Sequence, residues 1–387
     1  MTSKPRLVID KTIWIRSGLN GQQHVLRPIN TALLERGITV LTLNGPHDAA
    51  GLENIRKTVW NSDVHVVLDA MIPSELNKLR SVFGDRGNFS MAFQDWWSSV
   101  YWFTKNASYL FFRNYNGIAV RRKLASFTES RPPLFTLPER MNSYGVASAA
   151  LRLPALIAAP FLQLNNRKKL EDSSTDRLLY FPNVITGDQV PLIQAHPRFD
   201  FSNISSTGGY WLMRDPHAPA WLNFGNLYYD RQRITDLILQ NGSYKVFDLR
   251  RSHYLNWSEY CQTVCHSRFA IATGGLHKAS LSKYLEYVCL GTPALGEEIP
   301  FEFPWLKQCL FPVDTLNVTR GKLEPQLREA LAQQPKLREN CLNLRDTLLK
   351  LYNPHRILDL LQEQADGKPI PPGYLKPEAF GGESGQN

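Results

Sequence analysis

Three polar side chains that could bind a ligand share one flank of a short predicted helix. Ser282, Lys283 and Glu286 lie within Ser280–Leu290, whose apolar residues occupy the adjoining face. The Glu286 carboxylate is placed to accept hydrogen bonds from both hydroxyls of a ribose, with Lys283 available to a phosphate. The alternative interpretation is a solvent-exposed ion pair between Lys283 and Glu286.

A glycine loop in front of this helix indicates an anion site. Arg268–Thr273 is short, apolar and rich in β-branched residues, which is typical of a buried parallel strand. Gly274 and Gly275 end that strand, Gly291 stands at the C′ position of the helix, and Thr292–Leu295 begins the next strand. Such a unit points the free N–H groups of the helix amino terminus beyond the strand's carboxyl end, where they favour an anion.

The run from Lys283 to Pro293 resembles the donor-binding helix of GT-B glycosyltransferases of the group 1 type. A basic residue three positions before the glutamate, here Lys283, also resembles the pattern of exostosin-type transferases. The resemblance implies that Glu286 holds the donor ribose and that His277 and Lys278 belong to the same donor site. Retaining members carry a carboxylate eight residues before this glutamate, where this chain has Lys278. An inverting reaction is therefore favoured.

A second segment adds a candidate phosphate-binding cation. Ala220–Gly225 predicts a strand, and a helix follows it through Leu239. This order is similar to the first strand and loop of the GT-B donor domain, and the resemblance places Gly225 and Arg231 at the donor diphosphate, which a guanidinium binds in a bidentate way. Arg233 is an alternative ligand, and an exposed arginine on the helix flank is the structural alternative.

The expected site uses neither a metal nor a cofactor. The sequence has no Asp-x-Asp element, so we expect diphosphate charge to be met by Arg231, Lys283 and the helix dipole. Cys261, Cys265 and His266 cluster on one helix, but no second ligand pair has the spacing of a zinc site. The resemblance to GT-B glycosyltransferases implies a nucleotide diphosphate sugar as the donor substrate, and no further cofactor is expected.

The amino-terminal half predicts a second parallel sheet. A strand at Arg6–Asp10, a helix from about residue 22 to 36 and a strand at Thr39–Leu43 form a βαβ unit. This unit is also similar to the opening of group 1 GT-B enzymes, where it belongs to the acceptor-side domain. Further strands of this half are predicted at Val64–Leu68, Asn88–Gln94 and Tyr109–Arg113. In the carboxyl-terminal half Leu178–Phe181 is predicted to open the other sheet, followed by strands at Tyr210–Met213 and Tyr244–Leu249 and by helices at 256–264, 325–351 and 355–364.

Two residues of this half are candidate catalytic bases. Asp95 follows a predicted parallel strand, and the carboxyl end of such a strand is where α/β folds place ligands. His24 lies near the first glycine loop and is the second candidate. The alternatives are a helix N-cap at Asp95 and a packed histidine at position 24.

Length and composition fit an α/β protein of two Rossmann-like domains facing each other across a cleft. The chain has 387 residues, and 43% of them are hydrophobic, which suffices for two cores. The polar segment Glu171–Asp176 indicates a boundary between an acceptor domain, 1–172, and a nucleotide-sugar donor domain, 173–350. The resemblance implies that a helix at 351–365 returns to the first domain. Residues 366–387 are predicted to be a tail that is disordered or draped, that is, lying extended on the protein surface.

The net charge of +9 favours acidic partners. Val146–Leu164 is apolar but contains Arg152, Pro154 and Pro160, which argue against a spanning helix. With the basic clusters at 121–123 and 165–169, it suggests contact with an anionic membrane surface; a helical hairpin packed on its own domain is the alternative.

The amino terminus has no apolar segment typical of a signal peptide, and five cysteines are expected to be reduced thiols. These features predict a cytoplasmic protein, or one peripheral at the inner face of a membrane. No nucleic-acid recognition motif accompanies the positive charge.

The predicted activity is transfer of a sugar from a nucleotide diphosphate sugar to a glycan, a lipid-linked acceptor or a small molecule. The alternatives are a non-catalytic nucleotide-sugar or glycan-binding relative and a GT-B-fold epimerase or phosphorylase. The substitution at Lys278 suits the non-catalytic alternative.

Overall fold

A computed structural model describes part of the chain, and for several residues of its helices and strands, among them His24 and Arg231, it describes the backbone alone. The described residues are 7–17, 23–44, 48–60, 64–69, 79, 82–83, 88–93, 107–112, 178–193, 196–204, 229–249, 255–272, 282–296, 305–313 and 319–374.

The described elements alternate between strands and helices. The helices are α1 (Gln23–Glu35), α2 (Ala49–Trp60), α3 (Tyr229–Asn241), α4 (Trp257–Cys265), α5 (Ser282–Cys289), α6 (Arg320–Leu351) and α7 (Pro354–Ala365). The strands are β1 (Thr12–Ser17), β2 (Thr39–Leu43), β3 (His65–Asp69), β4 (Phe89–Phe93), β5 (Tyr109–Phe112), β6 (Leu178–Tyr180), β7 (Phe199–Asn203), β8 (Val246–Asp248), β9 (Ser267–Ala272), β10 (Ala294–Gly296) and β11 (Leu310–Pro312).

These strands form two sheets with parallel pairing. The first has the order β2-β1-β3-β4-β5-β6 and the second the order β11-β10-β9-β7-β8. Parallel strands need crossover connections, and helices lie between several of these strands in the sequence. The central strands β3 and β9 are largely buried, whereas the edge strand β2 is mostly exposed or half-buried. The α/β class with two Rossmann-like units is therefore confirmed.

The chain divides into two compact units, one around each sheet. Of the described residues, 7–112, 178–189 and 349–374 belong to the first unit and 190–348 to the second. In the first unit α7 packs against α1 and β6. Gln364 of α7 exchanges two hydrogen bonds of 2.8 Å with the backbone of Tyr180, so it satisfies polar groups on the edge strand of the first sheet.

The second unit buries an apolar cluster between its sheet and helices α3 and α6. Its fully buried members include Phe201, Ile234, Phe269, Leu295 and Leu327. All five cysteines also lie buried in this unit, without disulfides: Cys261, Cys265, Cys289, Cys309 and Cys341. Burial raises the pKa of the Cys261 and Cys289 thiols to about 12.

Two sequence predictions of strand position are wrong. The first strand begins at Thr12 rather than Arg6, because the backbone N–H of Ile9 donates to Gln362 Oε1 (2.8 Å) instead of to a neighbouring strand. Leu178–Tyr180 does not open the second sheet but pairs with β5 as the edge of the first. Helix α2 and strands β7 and β11 were not predicted.

Most remaining elements match their predictions within two residues, and Thr39–Leu43 matches to the residue. The predicted strands Tyr210–Met213 and Ala220–Gly225 lie outside the described residues, as does the segment 146–169 that suggested a membrane surface. None of the helices in the described part of the chain is both long and apolar enough to span a bilayer. Of the predicted tail, residues up to Tyr374 are described, and Tyr374 is buried with its hydroxyl donating to Leu351 O (2.5 Å).

Candidate functional site

Helix α5 holds the candidate carboxylate, and its local sequence explains its short length. The helix ends in a Schellman motif, in which Thr292 N–H donates to Tyr287 O and Gly291 N–H to Val288 O, both at 2.9 Å. Gly291 has φ +73°, a left-handed conformation that favours glycine. The predicted C′ role of Gly291 is therefore confirmed, and the helix turns directly into β10.

The carboxyl end of β9 fixes helix α5 from the other side. Tyr284 donates its hydroxyl to Ala272 O, the last residue of β9, at 3.0 Å. At the same end β10 passes so close that a Cβ on Gly296 would fall 1.6 Å from this carbonyl oxygen. Only glycine allows this approach, so the strand ends and the helix are held in one arrangement.

Glu286 is buried, with 7% of its surface exposed. Its Oε2 accepts a 2.5 Å hydrogen bond from the hydroxyl of Tyr260 on α4. Burial raises the pKa of Tyr260 well above its usual value, and the neighbouring Glu286 charge adds to the shift, so the phenol keeps its proton and donates. This environment does not fit the alternative of a solvent-exposed Lys283–Glu286 pair.

Lys283 is half-buried at the carboxyl end of β7. Its ammonium donates to Ile204 O, just after β7, at 3.3 Å and lies 5.1 Å from the centroid of the Tyr260 ring. Ser282, also half-buried, opens the helix beside it. Lys283 and Glu286 thus both contact Tyr260, and Ser282 begins the helix that carries them.

Tyr260 lies on helix α4, whose amino terminus is closed by a capping box. Asn256 caps it: Glu259 N–H donates to Asn256 Oδ1 (3.0 Å), and Asn256 N–H donates to the Glu259 carboxylate (2.8 Å). The sequence predicted a helix at 256–264 but not the bond of its Tyr260 to Glu286. No local signal connects them, because they are 26 residues apart.

The other predicted donor residues are less fully described. Arg231 lies in the first turn of α3, where a phosphate ligand is expected, but only its backbone is described. Gly225, Gly274, Gly275, His277 and Lys278 lie outside the described residues. Among the residues the structure does describe, no group of three or more histidine, cysteine or acidic side chains could hold a metal.

The first unit places a buried ion pair at the carboxyl ends of its central strands. Arg16 of β1 and Asp69 of β3 are register partners, and their Nη2 and Oδ2 atoms are 2.6 Å apart. Arg16 Nη1 also donates to Asn30 Oδ1 on α1 at 2.5 Å. Both charged side chains are almost fully buried, at 1% and 0% exposure, so their separation would be costly.

The two candidate bases belong to the same unit. Strand β4 lies between β3 and β5 and ends at Phe93, two residues before Asp95, which is outside the described residues. His24 is the second residue of α1, and its side chain is not described.

A buried histidine of this unit lies at the amino ends of the strands, opposite the Arg16–Asp69 pair. His65 Nε2 is 2.6 Å from Ser90 Oγ, and burial lowers the pKa of His65 to about 4. Because these residues begin β3 and follow the start of β4, they belong to the amino ends of the strands and not to the candidate site.

Comparison with solved structures identifies the architecture. The Anabaena protein Alr3699/HepE, in complex with UDP and glucose, matches with a TM-score of 0.50 and 9% identity over 92% of this chain and 100% of the other. The fold is of the GT-B type. At this identity the likeness shows the fold alone. Searches of protein-family models and of curated proteins found no match.

Other solved structures with the GT-B fold align over a similar length. Sucrose-phosphate synthase from Thermosynechococcus elongatus matches with a TM-score of 0.49 and 10% identity, covering 92% of this chain and 98% of the other. AviGT4, a glycosyltransferase involved in avilamycin A biosynthesis, has a TM-score of 0.46 and 11% identity over 92% and 98% of the two chains.

Proposed function

We propose that the protein is a glycosyltransferase that takes a sugar from a nucleotide diphosphate sugar. The observation that carries the proposal is the buried Glu286 carboxylate. It lies on helix α5, which comes after β9, the middle strand of the second sheet, and Lys283 precedes it by one turn of the same helix. A carboxylate so placed can bind the ribose, and the ammonium can bind the diphosphate. The GT-B fold shared with a protein that was solved with UDP and glucose supports this assignment.

The donor site we propose combines described and undescribed residues. Ser282, Lys283 and Glu286 form its described part. The resemblance of the sequence to group 1 enzymes adds Gly225, Arg231, Gly274, Gly275, His277 and Lys278. The first unit would bind the acceptor, whose chemical class stays a prediction.

Calorimetry with UDP and GDP tests the donor site. Glu286→Ala should weaken binding of whichever nucleotide the wild type binds by about 1–3 kcal/mol, the usual loss for a hydrogen bond to a charged group. Glu329→Ala is the matched control, since Glu329 is an exposed glutamate on α6 of the same unit. Equal affinities in the wild type and Glu286→Ala would refute the ribose contact.

The reaction we propose needs no divalent metal. Lys283 belongs to the proposed site, the resemblance to group 1 enzymes adds Arg231 and Lys278, and the sequence contains no Asp-x-Asp element. Release of nucleotide diphosphate from the donor should therefore continue in excess EDTA at the rate seen without it. Loss of activity on chelation, with recovery on adding Mn²⁺, would show that a metal binds the diphosphate.

We further propose an inverting displacement with a base from the first unit. Inversion requires a proton acceptor within hydrogen-bond reach of the acceptor hydroxyl, on the face opposite the leaving diphosphate. Asp95 is the first candidate because it follows an interior strand of the sheet at its carboxyl end, and His24 is the second. Lys278 would stabilise the charge of the departing diphosphate.

A further inference from the structure

Tyr260 contacts both charged residues in the described part of the candidate donor site, each through a different part of its side chain. Its hydroxyl donates to Glu286 Oε2 at 2.5 Å, and the centroid of its ring lies 5.1 Å from the Lys283 ammonium. One buried side chain therefore restrains the carboxylate and the cation together.

The Tyr260 ring is itself held by aromatic neighbours. Trp257, one helical turn earlier on α4, stacks on it with centroids 4.8 Å apart and planes inclined by 19°. Tyr287, which follows Glu286 on α5, also stacks on it, with centroids 6.4 Å apart and planes inclined by 27°. Because the ring is packed and the phenol is protonated, the hydroxyl is a fixed donor rather than a mobile one.

This donor makes the two carboxylate oxygens of Glu286 unequal. Oε2 is bound to Tyr260, whereas no described residue donates a hydrogen bond to Oε1. A carboxylate with both oxygens open could accept the two vicinal hydroxyls of a ribose, one on each oxygen. Oε2 is turned toward the packed tyrosine and has one lone pair already occupied, so Oε1 is the oxygen with both lone pairs available to the ligand. The two hydroxyls can then no longer be bound one on each oxygen in the same way.

We propose that Tyr260 is a positioning residue that fixes Glu286 with one oxygen toward the ligand, so that the site recognises one of the two ribose hydroxyls. The inference rests on the proposed function, because it assumes that Glu286 binds a ribose. It goes beyond that function by stating how much of the ribose the site distinguishes and which residue sets this limit.

Deoxynucleotides test the inference on the unmodified protein. The probes are UDP, 2′-deoxy-UDP and 3′-deoxy-UDP, with the corresponding guanosine compounds if GDP is the nucleotide that binds. One deoxy analogue should bind within about threefold of the parent, and the other should bind roughly tenfold more weakly, the effect of one lost hydrogen bond of about 1.4 kcal/mol. A roughly tenfold loss with both analogues would overturn the inference and leave the proposed function standing.

A pair of variants tests the positioning role. Tyr260→Phe keeps the ring above which Lys283 lies and removes only the hydroxyl, and it should weaken UDP binding by about fivefold, an effect within the range of one hydrogen bond. In a Glu286→Ala background the same change should have no effect, since no carboxylate remains to be positioned. Equal losses in both backgrounds would mean that Tyr260 acts only on packing, and would overturn the inference.

The remaining outcomes separate the inference from the function. If neither UDP nor GDP binds the wild-type protein, the proposed function fails and the inference fails with it. If the nucleotide binds but both deoxy analogues bind as well as the parent, Glu286 contacts no ribose hydroxyl, which overturns both the inference and the donor-site assignment. Thermal unfolding of each variant, measured beside the titrations, verifies that the folded protein is being compared.

Discussion

Replacing Arg16 with methionine should lower the free energy of unfolding by about 3–5 kcal/mol, the loss expected when one partner of a buried ion pair is removed. The Asp69 carboxylate would remain fully buried without the cation 2.6 Å away that now balances its charge. Asn30 would lose the same cation as a hydrogen-bond donor. Urea unfolding followed by circular dichroism would measure the effect on the transition of the first unit.

Two further variants make this result specific. Arg56→Met removes an arginine of the same unit whose ion pair with Glu53 is exposed, and it should leave the unfolding transition almost unchanged. The double variant Arg16→Met/Asp69→Leu replaces the whole buried pair with apolar side chains and should recover at least half of the loss. A single variant as stable as the wild type would show that the two charges are not paired in the folded protein.

Turnover should fall by about 10²-fold or more in Asp95→Asn while donor affinity stays unchanged, which corresponds to about 2.7 kcal/mol of lost transition-state stabilisation. The asparagine keeps the size of the side chain but cannot accept the proton of the acceptor hydroxyl. Release of nucleotide diphosphate measures turnover, and calorimetry with the donor nucleotide measures affinity.

His24→Gln and Asp188→Asn complete this experiment. Asp188 is an exposed carboxylate of the first unit, so its variant should keep full turnover. If Asp95→Asn is active and His24→Gln is not, the base is the histidine. The anomeric configuration of the product, assigned by NMR, is an independent check: retention of the donor's configuration would rule out the inverting displacement.

The sequence predicted best those parts of the fold that are determined locally. The unit from β9 through α5 to β10 follows from an apolar β-branched run, a helical period and Gly291, and each of these acts within a few residues. Glu286 could be proposed for the same reason, because its position depends only on the helix that carries it.

Features that depend on long-range contacts could not be predicted from the same patterns. Strand β1 was missed because Arg16 is a charged residue, and its burial becomes understandable only with Asp69 on another strand. Strand β6 was assigned to the wrong sheet because nothing within its three residues specifies β5 as a partner. The Tyr260–Glu286 bond likewise requires the packing of α4 beside α5.

The rate at which an alkylating reagent labels the buried cysteines reports how often the second unit opens. At neutral pH a thiol with a pKa of about 12, as at Cys261 and Cys289, is almost entirely protonated, and an alkylating reagent reacts with the thiolate. All five sulfurs are also buried, so the reagent reaches none of them in the closed unit. The rate of labelling therefore measures how often the second unit opens, while opening of the first unit, whose described residues include no cysteine, leaves the labelling rate unchanged.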